Sequence, residues 1–120
     1  MDFKTACQVL AEQTLPALDT PDTFLGRLRQ GQPPIPGQVT SLLLALKVIQ
    51  DGLQGADSLD RELAQSLFLV AYESRNLFES GRALRADWPP LLDEDLARLA
   101  IAAYRIFANE PLPDAAGDAL

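Results

Sequence analysis

The sequence predicts an all-α protein: a single five-helix bundle-like domain over residues 1–109, followed by a disordered acidic tail over residues 110–120. Three observations carry that expectation. Apolar residues recur at three- and four-residue spacing in five separate segments, and each segment is bounded by capping residues, glycine or proline. No stretch keeps the two-residue alternation of a half-buried strand. At 120 residues the chain has the length of one domain and can bury a core.

The first helix is predicted over residues 3–15. Asp2 is its N-cap, Phe3, Cys7, Leu10 and Thr14 share a face with Ala6 and Val9 beside them, and Pro16 stops it. Thr20-Pro21-Asp22 reads as cap, first-position proline and first-turn acid of a second, short helix carrying Phe24, Leu25 and Leu28 up to Gly31. The stretch QGQPPIPGQ, residues 30–38, then bars helix. Its prolines lack the N–H and push their preceding residues extended, while Gly37 lets the chain turn into the next helix.

From Val39 onward, Leu42, Leu43, Leu44, Ala45, Leu46, Val48, Ile49 and Leu53 cover most of a helix circumference, so this segment is expected at the centre. It ends between Gly52 and Gly55. Asp57 or Ser58 is the expected cap of a long amphipathic fourth helix, with Leu59, Leu63, Leu67, Val70, Ser74 and Leu77 along one side to Gly81. RALRADWPP, residues 82–90, breaks the pattern. A fifth stripe of Leu92, Leu96, Leu99, Ala100, Ala103, Ile106 and Phe107 closes near Asn109, and PLPDAAGDAL has no apolar period.

The composition excludes several functions. A net charge of -7 gives no electrostatic footing on nucleic acid or anionic membrane, both of which need clustered Lys and Arg. With five residues, Leu42 to Leu46, the longest apolar block is far short of a bilayer span, and MDFKTACQVL does not read as a secretory signal. One cysteine forms no internal disulfide, which fits a cytoplasmic location. Without histidine, Ser-His-Asp and Cys-His catalysis and histidine-bearing metal motifs are ruled out.

What chemistry is left is thin. Gly26 and Gly31 have the glycine spacing of a phosphate-binding loop, yet Gln32-Pro33 stands where Lys and Ser/Thr would contact phosphate and magnesium, so a glycine-capped helix end is expected there. Cys7 lies on an apolar stripe and reads as a core residue. Asp93, Glu94 and Asp95 complement a helix dipole rather than form an acid/base pair, and Glu94 with Arg98 reads as an i,i+4 surface pair. A carboxylate pair involving Glu62 or Glu73 is the open enzymatic alternative.

Binding features are more numerous. Pro33, Pro34 and Pro36 have the P-x-x-P spacing of an extended ligand for proline-recognition modules, and otherwise form a stiff connector or one wall of a groove. Trp88 before two prolines reads as a plug over a helix end or as an interaction hot spot, with Arg82 and Arg85 upstream and Tyr72 and Arg75 on the fourth helix.

The segments FLGRLRQGQPPIPGQVTSLLLALKV, LDRELAQSLFLVAYESR and WPPLLDEDLARLAIA resemble a small family of cyanobacterial proteins without established function, over about residues 1 to 109. Some of that family carry the label dethiobiotin synthetase, an enzyme with a phosphate-binding loop in an α/β fold. The residues here contradict that label, lacking both the Lys-Ser/Thr pair and any parallel strand. A looser likeness is to a small helical carboxysome assembly helper, which would imply gripping the C-terminal extension of a shell protein.

The expected function is a non-enzymatic, cofactor-free adaptor or assembly-assisting protein in the cytoplasm. It binds a segment of another protein through Pro33, Pro34, Pro36, Tyr72, Arg75, Arg82, Arg85 and Trp88, with no nucleic acid or membrane partner. The alternative is a small-molecule or enzymatic site inside the helices.

Overall fold

Helix α1, Phe3–Thr14, starts where the sequence places it. Asp2 is extended and its carboxylate accepts the Thr5 N–H at 2.7 Å, and Pro16 forces Leu15 out of helical geometry at the other end. The structure is a computed structural model that describes residues 1–18 and 20–112. Most of the expected tail, residues 113–120, lies outside the described residues.

Helix α2, Phe24–Arg29, begins three residues later than the Thr20 cap predicts. Thr20-Pro21-Asp22 is instead a turn, its Thr20 carbonyl accepting the Thr23 N–H and hydroxyl. Thr23 takes over as cap because its hydroxyl reaches the Gly26 N–H at 3.1 Å. At the far end Gly31, at φ 69°, closes a Schellman motif: Gln32 N–H donates to the Arg27 carbonyl and Gly31 N–H to that of Leu28. The glycine spacing of residues 26–31 is thus a helix with its cap.

Residues 35–38 form a type II turn, with Pro36 at the position that favours its fixed φ and Gly37 at φ 93°, where a side chain would be strained. Helix α3, Gln38–Gly52, follows directly. It buries Leu42, Ala45, Leu46 and Ile49, but Leu44 is left about half exposed, so the wrapping of its circumference is incomplete.

Helix α4 runs continuously over residues 61–83. Its cap is Asp60, not Asp57 or Ser58, because the Asp60 carboxylate accepts the Leu63 N–H at 3.1 Å. Midway, Leu69–Glu73 widens into a π turn in which Ser74 N–H reaches back to Leu69. The buried stripe explains it. Val70, Ser74 and Phe78 are each four apart, and in regular α geometry two such steps rotate a stripe by about 80°. The wider turn keeps all three on the core side, where they are buried.

Helix α5, Leu92–Phe107, ends at Asn109, whose φ of 54° makes a second Schellman motif. Beyond it, Glu110 is tied down: its carbonyl accepts the amides of Gln50 and Gln54 at 3.0 and 3.1 Å. Glu110 is thereby held against α3, one residue beyond the expected domain boundary.

Helix α1 packs on α3, α3 on α5, α5 on the π turn of α4, and the first turns of α4 return to α1. The four long helices thus close a ring, and α2 lies across one opening between α1 and the last turns of α4. Inside sit Leu10, Phe24, Leu46, Ile49, Leu67, Leu96 and Leu99, almost fully buried. Each contributes about 1.5–3 kcal/mol of transfer free energy against the entropy of ordering. The thickness of 22 Å corresponds to two layers of helices.

Candidate functional site

The eight residues of the expected binding surface divide into a structural group and an exposed group. At the end of α4, Phe78 is buried and gathers three of them. The Trp88 ring stacks on it at 6.0 Å, while the Arg75 and Arg82 guanidinium carbons stand 5.2 and 5.6 Å from its centroid. Trp88 also donates from Nε1 to the Phe78 carbonyl at 3.0 Å and leaves no room for a Cβ on Gly81. It is a plug.

The arginines serve the same closure. Arg75 donates to Asp93 Oδ1 at 2.6 Å and to the Asp93 carbonyl at 3.2 Å, tying α4 to the start of α5. Asp93 is therefore an inter-helix anchor as well as a first-turn acid. Arg82 pairs with Glu79 at 3.5 Å. Arg85 is exposed and holds φ 62° at the position after the α4 C-cap, where Ala86 N–H donates to Gly81 and Arg85 N–H to Arg82. Arg98 turns to Asp95 at 3.4 Å rather than to Glu94, correcting the i,i+4 expectation.

Two of the prolines reach an open surface. Pro34 and Pro36 face Pro89 and Leu92 across a shallow cleft of about 250 Å³, so the two proline segments do meet. Pro33 is half-buried, its carbonyl accepting Arg27 Nε at 3.0 Å. The stretch between them is fastened by glutamines that no periodicity singles out. Gln38 donates to the Asp22 carbonyl and accepts from Ile35 N–H, and Gln30 donates to the Pro21 carbonyl.

Tyr72 stands apart from that cluster. It emerges from the π turn, half exposed, and stacks on Phe68 at 5.0 Å, a residue that periodicity does not mark because it lies off the core stripe. A larger groove of about 450 Å³ separates α3 from α5, with Lys47, Arg98 and Arg105 among its lining.

A third hollow, of about 390 Å³, opens between α1 and the start of α4. Cys7 faces it, half-buried and packed against the core as its place on the apolar stripe predicts. Burial pushes its thiol above the ordinary range, and the Asp60 carboxylate adds to the shift. Glu62 stands exposed at this hollow and Glu73 is half-buried in the π turn. Among the described residues no group of three or more Cys, Asp or Glu side chains is arranged to hold a metal, and no helix is long and apolar enough to cross a membrane.

Compared with protein families, curated proteins and solved structures, the chain matches no family model, and no curated protein or solved structure shows significant similarity to it.

Proposed function

We propose that this protein is a non-enzymatic adaptor that binds a segment of another protein through an aromatic surface on α4 and α5. The observation that carries the reading is the Phe68–Tyr72 pair, each 54% exposed and stacked on one another. Single exposed apolar side chains are ordinary on any protein, whereas adjacent exposed rings give a partner a joined apolar surface, which is what supports the reading. Tyr104 and Phe107 are exposed on α5, the helix that packs against the π turn. Of five phenylalanines, two tyrosines and one tryptophan, only Phe24 and Phe78 are buried. Aromatic rings supply large contact area at low entropic loss and dominate hot spots.

The likeness to the carboxysome assembly helper makes the C-terminal extension of a shell protein the first partner to try. The proline cleft supplies a second rigid contact, while Trp88, Arg75 and Arg82 are engaged in the fold and are left out of the surface.

The test compares wild-type protein with the Phe68→Ala, Tyr72→Ala double variant. Both are immobilised in native cyanobacterial lysate, and any captured protein is purified and titrated calorimetrically against each. A specific partner lost by the variant is expected, with a thermal midpoint matching a stability change within about 1 kcal/mol, since both positions face solvent. Retention of the same proteins by both baits ends this reading. The competing small-molecule reading has its own observation, the hollow beside Cys7.

A further inference from the structure

Ser66 sits on the second turn of α4 with its side chain 1% exposed, and among the described residues its Oγ is the buried side-chain oxygen or nitrogen that finds no hydrogen-bond partner. A serine or threonine in a helix ordinarily turns its hydroxyl back to the carbonyl four residues earlier. Thr14 does so to Leu10 at 2.7 Å, and Ser74 to Val70 at 2.5 Å. Ser66 does not, and it lines the hollow between α1 and α4. A desolvated hydroxyl without a partner is destabilising, so the site is chemically incomplete as the chain alone builds it.

We propose that this hollow is a binding site for a small, neutral, largely apolar molecule of one or two rings, whose single hydroxyl or carbonyl completes the hydrogen bonding of Ser66. The volume of about 390 Å³ falls in the range of small-molecule sites. Phe3, Cys7, Ala11, Leu53 and Leu63 give it apolar walls. The Phe3 ring forms one lip, lying so close over Gly52 that a Cβ there would collide with it. Ser66 is the polar anchor: its hydroxyl, covered in the chain alone, turns about the Cα–Cβ bond to face the ligand, where it can donate to a carbonyl or exchange hydrogen bonds with a hydroxyl.

The charges at the rim select against anions. Asp60 and Glu62 outnumber Lys4 among the lining residues, and all three are exposed there. Asp60 already bears on the Cys7 thiol, adding to the upward push that burial gives it. A carboxylate ligand would meet two like charges on its way to a hydroxyl, whereas a neutral ring meets neither penalty.

The site does not depend on the adaptor reading and is tested on the full chain with three probes: 2-naphthol, naphthalene and 2-naphthoate. Cys7 is the only cysteine in the sequence, so its alkylation by iodoacetamide, read by intact mass, reports on occupancy of the hollow. Amide chemical shifts of Cys7, Leu63 and Ser66 provide a second readout. We expect 2-naphthol to slow the alkylation and shift those amides, and 2-naphthoate to bind more weakly than either neutral probe. Ser66→Ala should weaken 2-naphthol about fivefold, the worth of one neutral hydrogen bond, and leave naphthalene unchanged. Ala11→Met, which fills the hollow from α1, should abolish protection of Cys7 while circular dichroism reports an intact fold. Absence of both protection and shifts at millimolar 2-naphthol would overturn the proposal. So would equal affinity of the wild type and Ser66→Ala for 2-naphthol.

Discussion

Arg85 holds a backbone conformation that glycine adopts freely and most side chains resist. Its φ of 62° closes the end of α4 by the same pair of hydrogen bonds that Gly31 and Asn109 close for α2 and α5. Its side chain is exposed, so Arg85→Gly should stabilise the fold by about 0.5–1 kcal/mol, measured as a higher urea midpoint at unchanged slope. A lowered midpoint would mean that the arginine side chain holds the cap in some other way. Cys7 gives a second prediction at this scale. The fold favours the protonated thiol, so its contribution to stability is intact below the ordinary thiol pKa and declines as pH rises through the raised one. Asp60→Asn keeps a capping oxygen and removes the smaller of the two causes. Alkylation at about pH 8.5 should then be faster than in wild type, yet slower than in the urea-unfolded chain. Caps were only partly legible at residue scale. Asp2 could be read directly, while Thr20, Thr23, Asp57, Ser58 and Asp60 are all competent caps, and the choice among them is made by where the core admits the first buried residue.

The end of α4 behaves as one unit with the WPP segment, through Phe78, Trp88, Gly81 and the arginines around them. Gly81→Ala improves helix propensity but drives a methyl into the Trp88 ring, which its hydrogen bond to Phe78 holds in place. The overpacking should win, with a net loss of about 1–2 kcal/mol and a red shift of Trp88 emission. An unmoved emission maximum and unchanged midpoint would mean the ring swings aside freely. It follows that Trp88→Ala is a poor probe of partner binding, because it removes the plug along with any contact. Periodicity gave the five helices, since buried side chains recur at helical spacing whatever they touch. It could not give the π turn, because a stripe stepping by four residues reads the same in a slightly drifting α-helix. Nor could it find the glutamine fastenings, where a polar side chain acts across 16 residues of sequence, as Gln38 does on Asp22.

At the scale of the whole molecule, the ring of four helices two layers thick follows from amphipathic faces of similar width, and this was the most legible part of the sequence. The candidate surfaces were less so. Tyr72 and the prolines were identifiable by type, but exposure belongs to the assembled ring, which engaged Trp88 and two arginines around Phe78 and left Phe68 out. Ser66 had no signal at all, because an orphaned hydroxyl is defined only by its surroundings. The π turn, finally, bears on how long this chain must be. Such a turn holds one residue more than the helical path requires, and the surplus faces solvent at Tyr72. A chain shortened by deleting Tyr72 should therefore close into a continuous α-helix with both halves of α4 still in register, keeping its circular dichroism spectrum and cooperative melt. The same deletion at Ala97 of α5, a regular helix without slack, should turn every later side chain of that helix by about 100° and unfold the domain. Equal loss of structure in the two deletions would show that the extra residue is spent on packing.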